Sequence, residues 1–305
     1  MKWPPSSIAV PSAAESRTSL FAIALGSPFG GVLDPQGPVA AGNAQILLNA
    51  VSIMLMIVVP TVLATLAFAW WFRASNKKAI YLPNWDYSGR LELIIWGIPL
   101  LAILFLSGVT WIGSHDLDPA RPLALETKPV EIQVVSLDWK WLFIYPEEGV
   151  ASLNEVALPI DRPAHFSLTS ATVMNSFFVP QLGSMIATMN GMVTQLNLKA
   201  DRPGDYYGLS AQFSGPGFSD MHFVLRALAP ESFAQWMADA RKSKAPLDER
   251  AYLTLARART ASPTQFYGSI DRTLFENIAA RRLSSEPGPS SPPQAMEGPC
   301  LASSR

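Results

Sequence analysis

Two stretches of the chain are apolar on every face. Ile46–Phe72, ILLNAVSIMLMIVVPTVLATLAFAWWF, and Leu91–Gly113, LELIIWGIPLLAILFLSGVTWIG, each exceed the roughly 20 residues that carry a helix across about 30 Å of hydrocarbon. The pattern predicts membrane spans at 46–72 and 91–113. Trp70, Trp71 and Trp111 close these runs, as amphipathic rings do at a lipid–water boundary. Arg73, Lys77, Lys78 and Arg90 lie between the spans, whereas residues 27–45 contain no Lys or Arg. The positive-inside rule therefore makes 73–90 a cytoplasmic loop and places both 32–45 and everything after the second span outside.

After a linker at 114–129 the period changes. VEIQVVS, WKWLFIY, HFSLTS, TQLNLKA and HFVLRA are short β-rich runs, punctuated by PEEG, DRPG and SGPG. Runs of this length and spacing predict a Greek-key β-sandwich at 130–228. Pro230–Lys242 then puts Phe233, Trp236, Met237 and Ala240 on one face of a helix, expected on the sandwich in preference to the membrane surface because its polar face is not strongly basic. Pro246–Arg259 reads as a second helix with Asp248 and Glu249 in its first turn. The segment 229–282 is thus a helical and aromatic C-terminal arm. Residues 283–305 are rich in Pro, Ser and Gly and too poor in apolar surface to order themselves.

At the other end, 1–31 carries Lys2 and Arg17 ahead of the short apolar run Leu20–Leu25, which cannot cross a bilayer. Such a layout fits a secretory signal cleaved near Gly26–Gly31, or else a disordered N-terminus. Within the spans, Pro60 and Pro99 predict kinks against neighbouring helices. Glu92 either snorkels to the interface or serves docking or a proton path.

Composition narrows the chemistry. Only 15% of the residues are charged, which fits a chain partly in lipid, and a net charge of −1 argues against nucleic acid as a partner. The single cysteine, Cys300, lies in the tail, so the sandwich has no thiolate ligand and no disulfide. His115, His165 and His222 are too scattered for a haem or zinc site. No nucleophile–base pair, phosphate loop or paired acid stands out. No catalytic, cofactor-binding or metal-binding residue is assigned to this chain.

The most informative stretches are VMNSFFVP at 173–180 and YYGLSAQFSGPGFSDMHF at 206–223, with SLDWKWLFIYPEEGVASLNEVALP upstream. From about Leu33 to about Arg282 the chain resembles subunit II of the bacterial cytochrome bo-type ubiquinol oxidases. These are heme-copper oxidases whose second subunit keeps a cupredoxin domain without its copper ligands. The resemblance implies a two-helix transmembrane hairpin followed by an all-β cupredoxin-like Greek-key sandwich with C-terminal helices. Laid on the copper-ligand pattern of the related cytochrome c oxidases, the positions hold Asn175, Ser210, Ser214, Phe218 and Met221, with Gln212 between two lost thiolates. Only Met221 offers a soft donor. The chain also departs from its quinol oxidase relatives in reading Gly26-Ser27 where they carry a lipidated Gly-Cys.

The function implied is that of a non-copper subunit II in a proton-translocating ubiquinol oxidase of the aerobic respiratory chain. The complex oxidises ubiquinol and reduces O2 to water in subunit I, where haems and copper are expected. The expected partners are subunit I and the other subunits, membrane lipid, and ubiquinol through the complex, but not cytochrome c. The expected location is the bacterial inner membrane with the C-terminal domain in the periplasm. The alternatives are a membrane-tethered cupredoxin-like binding or assembly module, and a cytochrome c oxidase subunit II.

Three further features have two readings each. Asp138-Trp139-Lys140-Trp141 resembles an electron-entry cluster, but with no metal behind it the rings are expected to pack in the sandwich or against subunit I. Met174, Met185, Met189, Met192 and Met221 can collect Cu(I), or fill gaps in a core or interface. The pairs Phe266-Tyr267 and Leu274-Phe275 resemble an aromatic arm that packs on partners.

Overall fold

The computed structural model describes residues 31–80, 82–123, 127–258, 260 and 262–283. Apart from Gly31 and Leu283, the expected signal segment and the tail with Cys300 lie outside them. The chain divides into a helical unit, 41–118, and a β-rich unit formed by the remainder.

Helix α1 spans Pro38–Trp71 and α2 spans Gly89–Asp116. α1 starts ahead of the predicted Ile46 because hydropathy marks only the lipid-crossing portion. Pro38 suits a first helical position, and the Ala-rich turn after it favours helix without being strongly apolar. At 34 residues α1 is about 51 Å long, more than the hydrocarbon thickness. Within this unit the two helices meet through small residues. A side chain at Gly113 would collide with Ile46, and one at Gly42 with Leu117, so glycine sets the approach. Elsewhere most of their Leu, Ile, Val and Phe side chains are exposed. Glu92 lies in the first turn of α2, where a helix N-terminus favours an anion.

The β-rich unit holds thirteen strands among the described residues. In chain order they are β1 Val130–Leu137, β2 Lys140–Tyr145, β3 Val150–Leu153, β4 Glu155–Pro159, β5 Ala164–Ser170, β6 Asn175–Phe178, β7 Ile186–Thr188, β8 Thr194–Leu198, β9 Gly204–Ser210, β10 His222–Leu228, β11 Pro246–Leu247, β12 Gln265–Tyr267 and β13 Ser269–Ile270. One sheet runs β12-β3-β2-β1-β5-β8 and the other β4-β10-β9-β6-β7. The pairs β1–β5 and β4–β10 are parallel and the other pairs within these two sheets are antiparallel, the mark of Greek-key crossovers.

Strand alternation sends Trp141, Phe143, Phe166, Phe177 and Phe223 into the space between the sheets. Phe177 and Phe223 stack at 4.9 Å, and Trp141 meets them edge-on at 5.4 and 5.6 Å. Helix α3, Pro230–Arg241, lies on this core through Phe233, Trp236, Met237 and Ala240. Trp236 Nε1 donates to the Glu155 carboxylate at 2.8 Å, and Arg226 pairs with the same group at 3.4 Å.

The C-terminal arm differs from expectation. The second predicted helix begins at Glu249, not Pro246. Asp248 is its N-cap, accepting from the Ala251 amide at 2.8 Å, and α4 spans Glu249–Arg257. Pro246–Leu247 instead pairs with Ser269–Ile270. The aromatic residues expected to pack on partners are turned onto this chain's own sandwich. β12 extends the six-stranded sheet, and α5, Leu274–Ala279, follows. Tyr252, Tyr267, Leu274, Phe275 and Ile278 form a second core with Val135, Leu137, Leu142, Ile144 and Leu153. Both faces of β1 and β2 are therefore covered, and β2 is buried along its whole length.

Within the β-rich unit, the start of the described chain also docks on the sandwich. The Gln36 amide donates to Gln181 O at 2.8 Å, and Asp201 N donates to Gln36 O at 2.9 Å. Gly37 lies against the Lys199 carbonyl, where a side chain would not fit.

Candidate functional site

The candidate site is the loop end of the sandwich, where β6, the β9–β10 connection and the β1–β2 hairpin converge. Asn175 opens β6 and Ser210 closes β9, and both are buried. Register sets Phe177 opposite Ser210 and Asn175 opposite Thr188. Asn175 Nδ2 donates to Val173 O at 3.2 Å and to Ser136 Oγ at 3.5 Å. Ser210 Oγ lies 3.3 Å from Asn175 Oδ1, to which it donates, and Ser136 and Thr188 share a hydrogen bond of 2.9 Å. The result is a buried network of neutral groups that satisfy one another.

The loop itself runs over Gln212, Ser214 and the short 3-10 turn Phe218–Asp220 to Met221. Ser176 Oγ donates to Gln212 Oε1 at 3.4 Å. Ser214 Oγ donates to the buried Met221 Sδ at 3.7 Å, and the ring of Phe218 sits 5.7 Å from that of Phe213. Trp139 has φ 60° on the β1–β2 turn, and the carboxylate of its neighbour Asp138 accepts from Thr172 Oγ1 at 2.6 Å. The Trp139 ring covers Gly215 and Gly217, and its Nε1 donates to Ser214 O at 3.3 Å. Any side chain at Gly217 would strike that ring.

These residues do not fit a copper centre. Hydroxyls, carboxamides and phenyl rings are poor partners for a soft metal, and the single thioether, Met221, already accepts a hydrogen bond from Ser214. Among the described residues no group of three or more His, Cys, Asp and Glu could hold a metal ion.

Of the other residues singled out in the sequence, Trp141 is a core ring, as expected, whereas Trp139 is half-buried over the loop. Met174, Met185 and Met192 are not core residues, being 42%, 53% and 53% exposed, while Met221 is. β7 is the edge strand of its sheet, and the turn that follows it toward β8 carries the half-buried Met189 and the exposed Met192. His222 stacks on Tyr207 at 5.8 Å, on the face opposite Met221, and His165 bonds Asn197 at 2.9 Å.

Lys140 was not foreseen. It is fully buried, and its Nζ donates to the carbonyls of Ala258 and Thr260, tying the α4–β12 connection to β2. Burial holds its pKa below the usual lysine value, and nearby Asp138 partly offsets this. A charged residue between two tryptophans carried no sign of this role.

Comparison with known proteins accords with the geometry. Residues 131–228 match the family described as "Cytochrome C oxidase subunit II, periplasmic domain". The chain is 48% identical over 252 residues to the "Ubiquinol oxidase subunit 2" of Acetobacter aceti, covering 82% of each protein. It is 44% identical to the "Cytochrome bo(3) ubiquinol oxidase subunit 2" of Pseudomonas aeruginosa, covering 82% of this chain and 76% of that one. Among solved structures, the periplasmic domain of subunit II of cytochrome oxidase from Bradyrhizobium japonicum is 24% identical, covering 39% of this chain and 98% of that one with a TM-score of 0.36. Two helices long and apolar enough to cross a membrane, a sandwich that matches a periplasmic-domain family and these relatives lead to one assignment: the chain belongs to the ubiquinol oxidase subunit 2 family of the heme-copper oxidases.

Proposed function

We propose that this chain is the copper-free second subunit of a proton-translocating ubiquinol oxidase in the bacterial inner membrane. The complex takes electrons from ubiquinol inside the bilayer and reduces dioxygen to water at haems and copper held by subunit I. The present chain contributes structure: its hairpin packs on subunit I and its sandwich caps the periplasmic side. The observation that carries this reading is the mutually satisfied set Asn175, Ser210, Ser136 and Thr188, beside Met221 bonded to Ser214. Such groups supply no redox couple, and a lipid-soluble donor reaches the membrane subunit without a periplasmic relay.

A tagged chain purified in mild detergent is expected to bring down a haem protein whose preparation oxidises ubiquinol and not reduced cytochrome c. A soluble 114–282 fragment is expected to hold no stoichiometric copper. Tightly bound redox-active copper in that fragment, or a chain that migrates without any haem protein, would overturn the proposal.

A further inference from the structure

Beyond orienting the hairpin, the connection between the two helices is given no task by the oxidase role. From Arg73 to Arg90 it carries Arg73, Lys77, Lys78 and Arg90 against one acid, Asp86. Among the described residues none of the four cations belongs to an ion pair.

The turn that presents them is built. Asn76 Nδ2 donates to Trp71 O at 2.6 Å, covering a carbonyl at the end of α1, and Lys78 N donates to Asn76 Oδ1 at 3.1 Å. Arg73 is fixed as well, with Nε bonded to Ser75 Oγ at 2.9 Å and its guanidinium 5.1 Å from the centre of the Trp70 ring. Arg73, Lys77 and Lys78 are thereby gathered at the end of a membrane span. Around them Trp70, Ile80, Leu82, Trp85 and Tyr87 are exposed.

Cations alone would suit any acidic partner. Cations set among exposed aliphatic and aromatic side chains, continuous with a lipid-facing helix, suit a molecule that is anionic at one end and apolar at the other. An acidic protein surface would satisfy the charges and leave Ile80, Leu82 and Trp85 unmet. We propose that the Arg73–Arg90 connection is a binding site for an anionic phospholipid, with Arg73, Lys77 and Lys78 on its phosphate.

The test is native mass spectrometry of the full chain, released from its complex and equilibrated in micelles holding equal phosphatidylglycerol and phosphatidylcholine. Each cation near an anionic surface is worth about fivefold in partitioning, so Lys77→Gln with Lys78→Gln should cut phosphatidylglycerol retention roughly twentyfold. Phosphatidylcholine should be unaffected. The same two charges removed elsewhere, as Lys242→Gln with Lys244→Gln, should leave retention unchanged. Equal retention of the two lipids by the natural chain would overturn the proposal, as would a preference that survives Lys77→Gln with Lys78→Gln. It would also fail if the preference were absent from the intact complex, because protein would then cover this surface.

Discussion

Replacing Lys140 separates what its charge does from what its bulk does. The side chain is fully buried on β2, and its ammonium faces the carbonyls of Ala258 and Thr260, the latter at 3.3 Å. Lys140→Ala removes three buried methylenes beyond Cβ, at about 0.8 kcal/mol each, or roughly 2–2.5 kcal/mol. In a domain of this size that lowers Tm by about 5–10 °C. Lys140→Met keeps the stem and deletes the charge. Ala258 and Thr260 are exposed residues, so water can take over their carbonyls, and loss of the buried charge offsets the lost hydrogen bonds. Lys140→Met is therefore expected to change stability by less than about 1 kcal/mol. The pH dependence adds a second check, because burial lowers the folded-state pKa of Lys140. The cost of keeping it protonated is fully present below that folded value. It is relieved as pH rises through it toward the unfolded value of about 10.4. Natural chain stability should thus rise relative to Lys140→Met as pH approaches 10. Thermal unfolding of the full chain in detergent, followed by near-ultraviolet circular dichroism from pH 7 to 10, measures both. The reasoning fails if the Met and Ala variants melt together, or if the difference between natural chain and Lys140→Met is flat with pH.

Three other substitutions follow from particular contacts. Gly208→Ala drives a methyl into the ring of Phe223 and should cost about 1–3 kcal/mol in the same melt, with partial recovery when Phe223→Leu is added. Trp236→Phe deletes the donor to Glu155 while leaving Arg226 beside it, and should cost about 1.5–3 kcal/mol, read as a lower Tm. Gly113→Leu collides with Ile46, and should abolish the disulfide that Gly42→Cys and Leu117→Cys otherwise form between the helices under mild oxidation.

The sequence disclosed most where one physical rule dominates. Both long helices were visible because their apolar residues run unbroken over many turns, and the longer strands because alternation between two faces leaves a period of two. It disclosed least where tertiary pairing decides. β12 is only three residues long and exists because the edge of β3 is open to it, and no local pattern in Gln265–Tyr267 announces that. Asp248 read as a first-turn acid of a helix starting at Pro246, whereas its side chain is the cap of a helix starting three residues later, which only the Ala251 hydrogen bond reveals. At the site, residue identities showed which donors are present, with Met221 the one soft atom among the aligned positions. They could not say how the neutral groups pair, since hydrogen bonds among Asn175, Ser136, Thr188 and Ser210 join positions far apart in the chain.

The form of the loop end without its metal has a cause in the strands beneath it. A metal centre would join β6 to the β9–β10 connection by bonds far stronger than any present here. The links observed, Ser210 to Asn175, Ser214 to Met221 and Trp139 to Ser214, are each worth about 1 kcal/mol or less and could not hold a loop against its own entropy. Each of them, however, stands beside a ring of the central stack. Phe177 shares a strand face with Asn175 and lies opposite Ser210, Phe223 follows two residues after Met221, and the turn bearing Trp139 leads directly into Trp141. Because Trp141, Phe177 and Phe223 are interlocked at 4.9–5.6 Å, the residues next to them are placed before any loop contact forms. The geometry is imposed from the core outward. The positions around the loop end are therefore set by the rings beneath it, and what the loop can hold is decided by its donors alone.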